Sequence, residues 1–401
     1  MKILMLTSYL PYPLFSGGQI RTYNLLKNLV AKHEITLFSF IRQEEEREHI
    51  KKLEKFCFKV KVFKRRPAWD LRNILLAGFS PFPFVMISTY LSWTVRQAIR
   101  KELEEFNYDL IHAEPFYMMP NIPKTKIPIL LVEQTIEYLV YKKFVDNFPN
   151  PFFKTGMYFD VVKLKFWEER YWRKATSLVA MSKEDKFIMQ KAAPKQTIDI
   201  VANGVDTEFF DKAKVCKPKI PTILFVGNFK WLPNKDAAKF LTHELWPLIK
   251  QKIPEAKLWI VGKNPTPDIL ELARKKDVFV QSNIKDIRTA FSQASVLLAP
   301  IRNGRGTKYK VLEAMASKLP VVTTPLGIEG IGAINGKQVL IARKADGLVD
   351  KTVKILQNPK LGQNISQSSY KLIKEKYNWQ LISSSLDKIY KKLGVASSLI
   401  N

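Results

Sequence analysis

Cysteine and histidine are scarce in this chain of 401 residues: Cys57 and Cys216 are its cysteines, and His33, His49, His112 and His243 its histidines. With no C-x-x-C spacing and no clustered histidines, neither a zinc site nor a disulfide framework is suggested. Acidic residues are also in short supply. Against 65 Lys and Arg stand 37 Asp and Glu, a net charge of +28, which favours anionic partners: nucleic acid, phosphorylated substrates or an acidic membrane surface. No dedicated nucleic-acid module or basic–aromatic repeat accompanies the charge, so no nucleic-acid partner is expected. Long apolar runs are missing too. The best spanning candidate, Leu75 to Trp93, is interrupted by Gly78, Pro81 and Pro83, where a membrane helix needs about 20 apolar residues with few breaks. The apolar start, Met1 to Thr7, is too short for a signal peptide and reads as a first strand. A cytoplasmic protein is expected, resting at most on the inner face of the plasma membrane.

What the chain does contain is an ordinary globular composition, 46% hydrophobic and 25% charged, at a length that suggests two domains of roughly 200 residues. Apolar strands alternate with helical patterns, as parallel βαβ sheets require. In the first half the strands read as Lys2–Thr7, Glu34–Phe40, Lys59–Phe63, Leu110–Ala113, Ile129–Glu133, Ser177–Ala180 and Thr197–Val201. The second half restarts the pattern at Thr222–Gly227 and continues with Lys257–Gly262, Val278–Gln281, Val296–Ala299, Pro320–Thr324 and Val339–Ala342. Helical runs are expected over Gln19–Ala31, from Trp231 to Lys250, and over Phe152–Lys174, whose Phe159, Phe166, Trp167 and Tyr171 are expected to pack on the sheet. Turn signals and a basic, proline-bearing stretch between Asn203 and Pro221 mark the linker.

The most informative stretch is Ala299 to Ala316. A strand runs into a basic loop holding Arg302, Gly304, Arg305 and Gly306, and a helix is expected to open near Thr307. Glycines admit close approach of a ligand to the backbone, and the free N–H groups of a helix's first turn favour an anion. Lys308 and Lys310 add charge, and Glu313 follows Lys310 by one helical turn on the same face, where a carboxylate can accept bonds from sugar hydroxyls. Such a loop suits a phosphate-linked ribose. Taken alone, it reads more readily as an amphipathic helix with Val311, Leu312 and Met315 inward and its lysines in water.

These residues carry a resemblance. Pro300 through Val322, with Lys310-Val311-Leu312-Glu313-Ala314-Met315-Ala316, resembles the donor-site segment of family 4 glycosyltransferases (group 1), in a bacterial branch with a Gly-x-Gly-x-Lys-x-Lys-x-Leu-Glu-Ala loop. Asn203 to Phe210 is similar to that family's interdomain signature, Met1 to Gly18 to its nucleotide-facing loop, and Val226-Gly227-Asn228 with Trp231-Leu232-Pro233-Asn234 to one bacterial branch. The pieces cover both halves of the chain in the family's order. The resemblance implies an α/β protein of the GT-B fold, two Rossmann-like doubly wound domains facing across a cleft. It places an N-terminal acceptor-binding domain over 1–205 and a nucleotide-sugar-binding domain over 206–377, with a C-terminal helix at about 378–395 packing back on the first.

It also implies roles. Glu313 would bind the ribose; Gly304, Gly306 and Thr307 would shape the phosphate loop; Lys310 and Arg302 would offset the diphosphate charge. Gly17 and Gly18 would bring backbone against the donor, and Ser282-Asn283-Ile284 would line the base pocket. The sequence departs from the family at Arg305, where an acidic residue often stands, and at Asn228, where an arginine is usual; Lys230 and Lys235 are substitutes for the latter. His112 and Glu114 occupy the strand end at which the family carries a His-x-His-like pair facing the acceptor, and are the catalytic candidates. His112 is as readily a hydrogen-bonded core residue. Glu133, Gln134 and Glu137 form a second polar cluster, aimed at the cleft or capping a helix start. Leu75–Trp93, with Phe82, Phe84 and nearby Arg65, Arg66, Arg72 and Arg96, combines apolar and basic character and fits either lipid docking or ordinary packing.

The expected activity is transfer of a sugar, with retention, from a nucleotide-diphosphate sugar co-substrate to a cell-surface glycan or lipid-linked acceptor. No Asp-x-Asp occurs and no metal or other cofactor is expected. A sugar-nucleotide epimerase of the same fold class would share the site without needing an acceptor. A non-enzymatic binder of anionic polymer would show steep salt dependence and no need of Glu313.

Overall fold

The structure, a computed structural model, describes residues 1–67, 73, 80–212 and 218–398. Leu75–Phe79 of the apolar stretch, Arg72, Cys216 and residues 213–217 of the linker lie outside the described residues. The chain divides into two compact units, Met1–Ala202 with Ile382–Asn401, and Asn203–Leu381.

The first unit is built on a parallel sheet of β1 (Lys2–Thr7), β2 (Glu34–Ile41), β3 (Lys59–Lys64), β4 (Leu110–Glu114), β5 (Ile129–Val132), β6 (Ser177–Ala180) and β7 (Ile198–Ile200), in the order β3-β2-β1-β4-β5-β6-β7. Central strands are apolar on both faces: in β1, Ile3 to Leu6 are fully buried. That pattern is what a parallel sheet covered by helices on both sides demands. Strand order reverses between β1 and β4, where Thr7 pairs with Glu114. Its helices include α1 (Gly17–Leu29), α2 (Trp93–Glu105), α3 (Glu137–Asp146), α4 (Pro151–Lys174) and α5 (Lys183–Ala192). Ser16 caps α1 by accepting from the Gln19 N–H, and Asn150 with Pro151 opens α4, both favoured N-terminal chemistry.

The second unit carries β8 (Thr222–Asn228), β9 (Lys257–Lys263), β10 (Val278–Ser282), β11 (Val296–Ala299), β12 (Val321–Thr323) and β13 (Leu340–Ile341) in the order β10-β9-β8-β11-β12-β13, again parallel. Its reversal lies between β8 and β11. The helices α6 (Leu232–Phe240), α7 (Tyr309–Ala316), α8 (Ala345–Gln357) and α9 (Pro359–Lys376) follow. The helical run expected to Lys250 is present and continues to Lys252, with a π-turn over Leu241–Leu245 between its two α-helical parts. Pro247 explains it: a proline has no N–H to give the carbonyl four residues back and its ring crowds that carbonyl, so the turn widens.

The last helix, α10 (Trp379–Ser398), crosses the division between the units. Within the first unit its Asp387 receives His33 Nε2 at 2.9 Å and Tyr390 is fully buried. Within the second, Val205 N–H donates to the Tyr377 carbonyl at 2.7 Å, and a Cβ on Gly204 would meet the Trp379 ring at 2.8 Å. The Asn203-Gly204 signature is therefore a close-packed backbone crossing that leaves no room for a side chain.

One expectation about packing changes, and one open alternative falls to ordinary packing. Phe159 and Phe166 of α4 face solvent, at 62% and 53% exposure, while Val161, Leu164, Glu168, Tyr171 and Trp172 form the buried face. Aromatic spacing marks a helical face but not which way it turns. In the described part of Leu75–Trp93, Phe82 stacks on Trp167 at 4.3 Å and the Phe84 N–H donates to Asp160 at 2.8 Å, so these residues pack within the unit.

Candidate functional site

In open doubly wound sheets, ligands collect beyond the strand C-termini where strand order reverses. In the second unit that crevice is flanked by the end of β8, at Asn228, and by the loop leaving β11. Gly304 and Gly306 both have positive φ, 99° and 75°, a backbone only glycine adopts without strain. A Cβ on Gly306 would meet nothing within 4 Å, so the loop is open on that side. The helix begins at Tyr309, two residues later than the sequence suggests, because Lys308 is still extended (φ −92°, ψ 101°).

Side chains around this loop divide into those already engaged and those left over. Arg302 is engaged: it ion-pairs with Asp236 at 2.7 Å and lies 4.1 Å over the Phe240 ring, held on α6. Lys310 donates to Asn234 Oδ1 at 2.6 Å, and its ammonium sits 4.4 Å from the Phe225 ring centre. Burial and the neighbouring Lys308 push its pKa down to about 7, against the pull of Glu313. Asn234 in turn donates to the Asn228 carbonyl at 2.8 Å, which ties the end of β8 to the loop. By contrast, the Thr307 hydroxyl is buried and has no hydrogen-bond partner among the described residues. The Glu313 side chain is half-buried and makes no hydrogen bond among the described residues; burial raises its carboxyl to about 7, partly offset by Lys310. A buried orphan hydroxyl and a destabilised carboxylate are each costly unless something polar reaches them.

Some supporting residues were not foreseen from the sequence. Asn234 and Asp236 are needed to hold Lys310 and Arg302, and the Leu-Pro-Asn start of α6 was the available signal. The turn after β12 also packs on the loop: Thr324 donates to the Ile301 carbonyl at 2.5 Å, and Glu329 lies 3.7 Å from Lys308. Asn283, expected near a base pocket, follows β10 with a left-handed φ of 55° and is exposed. Tyr309 donates to Asn203 at 3.1 Å, linking the start of α7 to the signature crossing.

The corresponding strand end of the first unit is different. His112 and Glu114, expected to face an acceptor, are both fully buried. Glu114 accepts from Gln134 at 2.9 Å and Thr22 at 3.2 Å, and lies 3.4 Å from Arg21 Nε. Burial would raise its pKa, but His112, Arg21 and Gln134 outweigh that and hold it below the usual carboxylate range. His112 Nδ1 lies 2.6 Å from the Tyr390 hydroxyl, while its Nε2 is 3.6 Å from Glu114, beyond hydrogen-bond reach. Gln134 also bonds the Tyr9 hydroxyl. A Cβ on Gly18 would collide with Gln134 and Tyr9, so this glycine seats the start of α1 on the network; Gly17 precedes it at the first position of α1.

The second polar cluster divides: Gln134 joins the Glu114 network and Glu137 opens α3. Glu168 of α4 accepts the Glu137 and Tyr138 N–H groups at 2.8 and 2.9 Å, capping α3. Glu133 accepts from Trp172 Nε1 at 2.9 Å. Burial raises Glu133 and Glu168 well above the usual range and Glu137 to about 7. Among the described residues no group of three or more His, Cys, Asp or Glu side chains is placed to hold a metal ion, and no helix is long and apolar enough to cross a membrane.

Comparison with known proteins places this geometry. Residues 15–209 match the model of Glycosyltransferase Family 4, and residues 220–358 that of Glycosyl transferases group 1. A Klebsiella pneumoniae protein described as an uncharacterized 44.6 kDa protein in the cps region is 22% identical over 96% of this chain and 99% of its own. The Staphylococcus aureus capsular polysaccharide biosynthesis glycosyltransferase CapM is 24% identical over 54% of this chain and 61% of its own. The crystal structure of Anabaena HepE in complex with UDP-glucose superposes with a TM-score of 0.63 at 13% identity, covering 98% of this chain and 100% of that one. The two family models run in order along the two sheets, and the chain belongs to the group 1, family 4 glycosyltransferases: it is a glycosyltransferase of the GT-B fold.

Proposed function

We propose that this enzyme transfers a sugar, with retention of configuration, from a nucleoside diphosphate sugar to a cell-surface glycan or a lipid-linked acceptor. One observation carries the reading: at the β8–β11 crevice, the orphan Thr307 hydroxyl, the Lys310 ammonium and the unengaged Glu313 carboxyl share one open glycine loop. HepE's complex with UDP-glucose supports a UDP-sugar as first choice of donor, and the capsular relative CapM supports a surface polysaccharide as product. In this reading the second unit takes the donor and the first the acceptor, at the cytoplasmic face of the membrane.

Glu313 accepts the ribose hydroxyls. Gly304, Gly306 and Thr307 seat the diphosphate, and Lys310 offsets its charge, with Arg302 and Asn228 bordering the site. When the bond between the anomeric carbon and the donor oxygen breaks, the electron pair leaves with the diphosphate. Fixed N–H groups and Lys310 stabilise that growing charge more in the transition state than in the ground state. The acceptor hydroxyl attacks the same face, and a donor phosphate oxygen takes its proton. His112 and Glu114, buried beneath the start of α1, act as positioning residues.

A thermal-shift screen against UDP, GDP, ADP and their sugar conjugates tests the proposal. Stabilisation by the UDP family, lost in Glu313→Ala, is expected. A wild-type protein that responds to no nucleotide contradicts it.

A further inference from the structure

The α3–α4 hairpin presents an apolar surface that the fold does not use. Phe144 on α3 and Phe152, Phe153, Phe159, Val162 and Phe166 on α4 are all exposed, Phe152 at 83%. Residues 152, 159, 162 and 166 recur at steps of seven, three and four, so they line one side of α4, opposite its buried Leu164, Glu168 and Trp172. Phe152 and Phe153 form an edge-to-face pair at 5.5 Å at the hairpin tip, and Phe144 meets Phe148 the same way at 5.8 Å. Isolated exposed phenylalanines need no explanation, but a continuous stripe running from a hairpin tip along a helix marks a contact surface.

Charge identifies the occupant. Exposed Lys165 and Arg170 flank the stripe, and Lys154 and Lys143 stand half-buried near the tip, on a protein whose net charge is +28. A second copy docking by two-fold symmetry would set these cations against their own equivalents, an arrangement of like charges. An anionic bilayer takes both features at once: aromatic rings enter the headgroup boundary while lysine and arginine meet lipid phosphates. We propose that the tip of the α3–α4 hairpin and the outer face of α4 dock this enzyme on an anionic lipid bilayer. The proposal stands on this surface alone, independent of the donor site.

Co-flotation with vesicles of phosphatidylcholine, alone or mixed with phosphatidylglycerol, tests it. The wild type is expected to float with the anionic vesicles and to be released by about 1 M salt. A triple variant, Phe152→Ser, Phe159→Ser and Phe166→Ser, is expected to partition at least about tenfold more weakly, and Lys154→Glu with Arg170→Glu to lose a similar factor. Each variant should keep the wild-type melting temperature and nucleotide-induced shift, which shows that it is folded. Failure of the wild type to float with anionic vesicles overturns the proposal, as does a folded triple variant that floats like the wild type. So does a lipid-free dimer that the triple variant dissolves, since the stripe would then belong to a second copy.

Discussion

Each unit of this enzyme ends a central strand in charged and polar side chains beside a reversal of strand order, yet the carboxylates at the two ends are finished in opposite ways. At the end of β4, Glu114 is enclosed and satisfied: Gln134, Thr22 and Arg21 surround its carboxylate, which is held below the usual range. Beyond β11, Thr307 has no partner among the described residues, and Glu313 and Lys310 are both driven toward about 7. A carboxylate whose partners are in place stabilises the fold, although His112 Nε2 beside Glu114 has no hydrogen-bond partner among the described residues. An unsatisfied group lowers stability until a ligand supplies the missing bonds, which makes the β11 loop the candidate site. Residue type does not separate the two carboxylates; the presence or absence of partners does.

The comparison can be broken by substitution. Glu313→Ala should weaken nucleotide binding by about a hundredfold, as loss of a charged acceptor for two hydroxyls implies, and should leave the melting temperature of the free protein unchanged or higher; calorimetry reads both. Glu114→Gln should do the reverse. It leaves Arg21 buried without its counter-charge, a loss of about 3–5 kcal/mol, read as a lower urea midpoint with nucleotide affinity within about twofold of wild type. Next in size is a pH effect on binding. Lys310 loses its charge as pH rises through about 7 while Glu313 gains one over the same range, so Lys310→Arg, whose guanidinium does not titrate there, should raise diphosphate affinity relative to wild type above that value more than below it. The smallest effect is Gly306→Ala. Its Cβ meets nothing, but a φ of 75° strains any L side chain, for a cost of about 1 kcal/mol in the free protein.

Much of the architecture was legible because parallel strands buried on both faces leave continuous apolar runs; β6 and β11 have the bounds their composition suggests. The glycine loop after β11 was legible because its glycines and cations are contiguous in sequence. What could not be read was contact at a distance. Nothing in Asp109–Glu114 says that Arg21 and Thr22, on a helix some ninety residues earlier, close over Glu114, so a strand-end carboxylate looked like a cleft residue. The outward turn of Phe159 and Phe166 was hidden for the same reason, since Leu164 and Trp172 supply an equally good apolar face.

The most direct measurement is UDP affinity by calorimetry for the wild type, Glu313→Ala and Glu114→Gln side by side. Binding lost in Glu313→Ala and kept in a destabilised Glu114→Gln is the predicted result. Binding kept in Glu313→Ala, or lost in a Glu114→Gln protein of wild-type stability, would contradict the assignment of the site to the β11 loop.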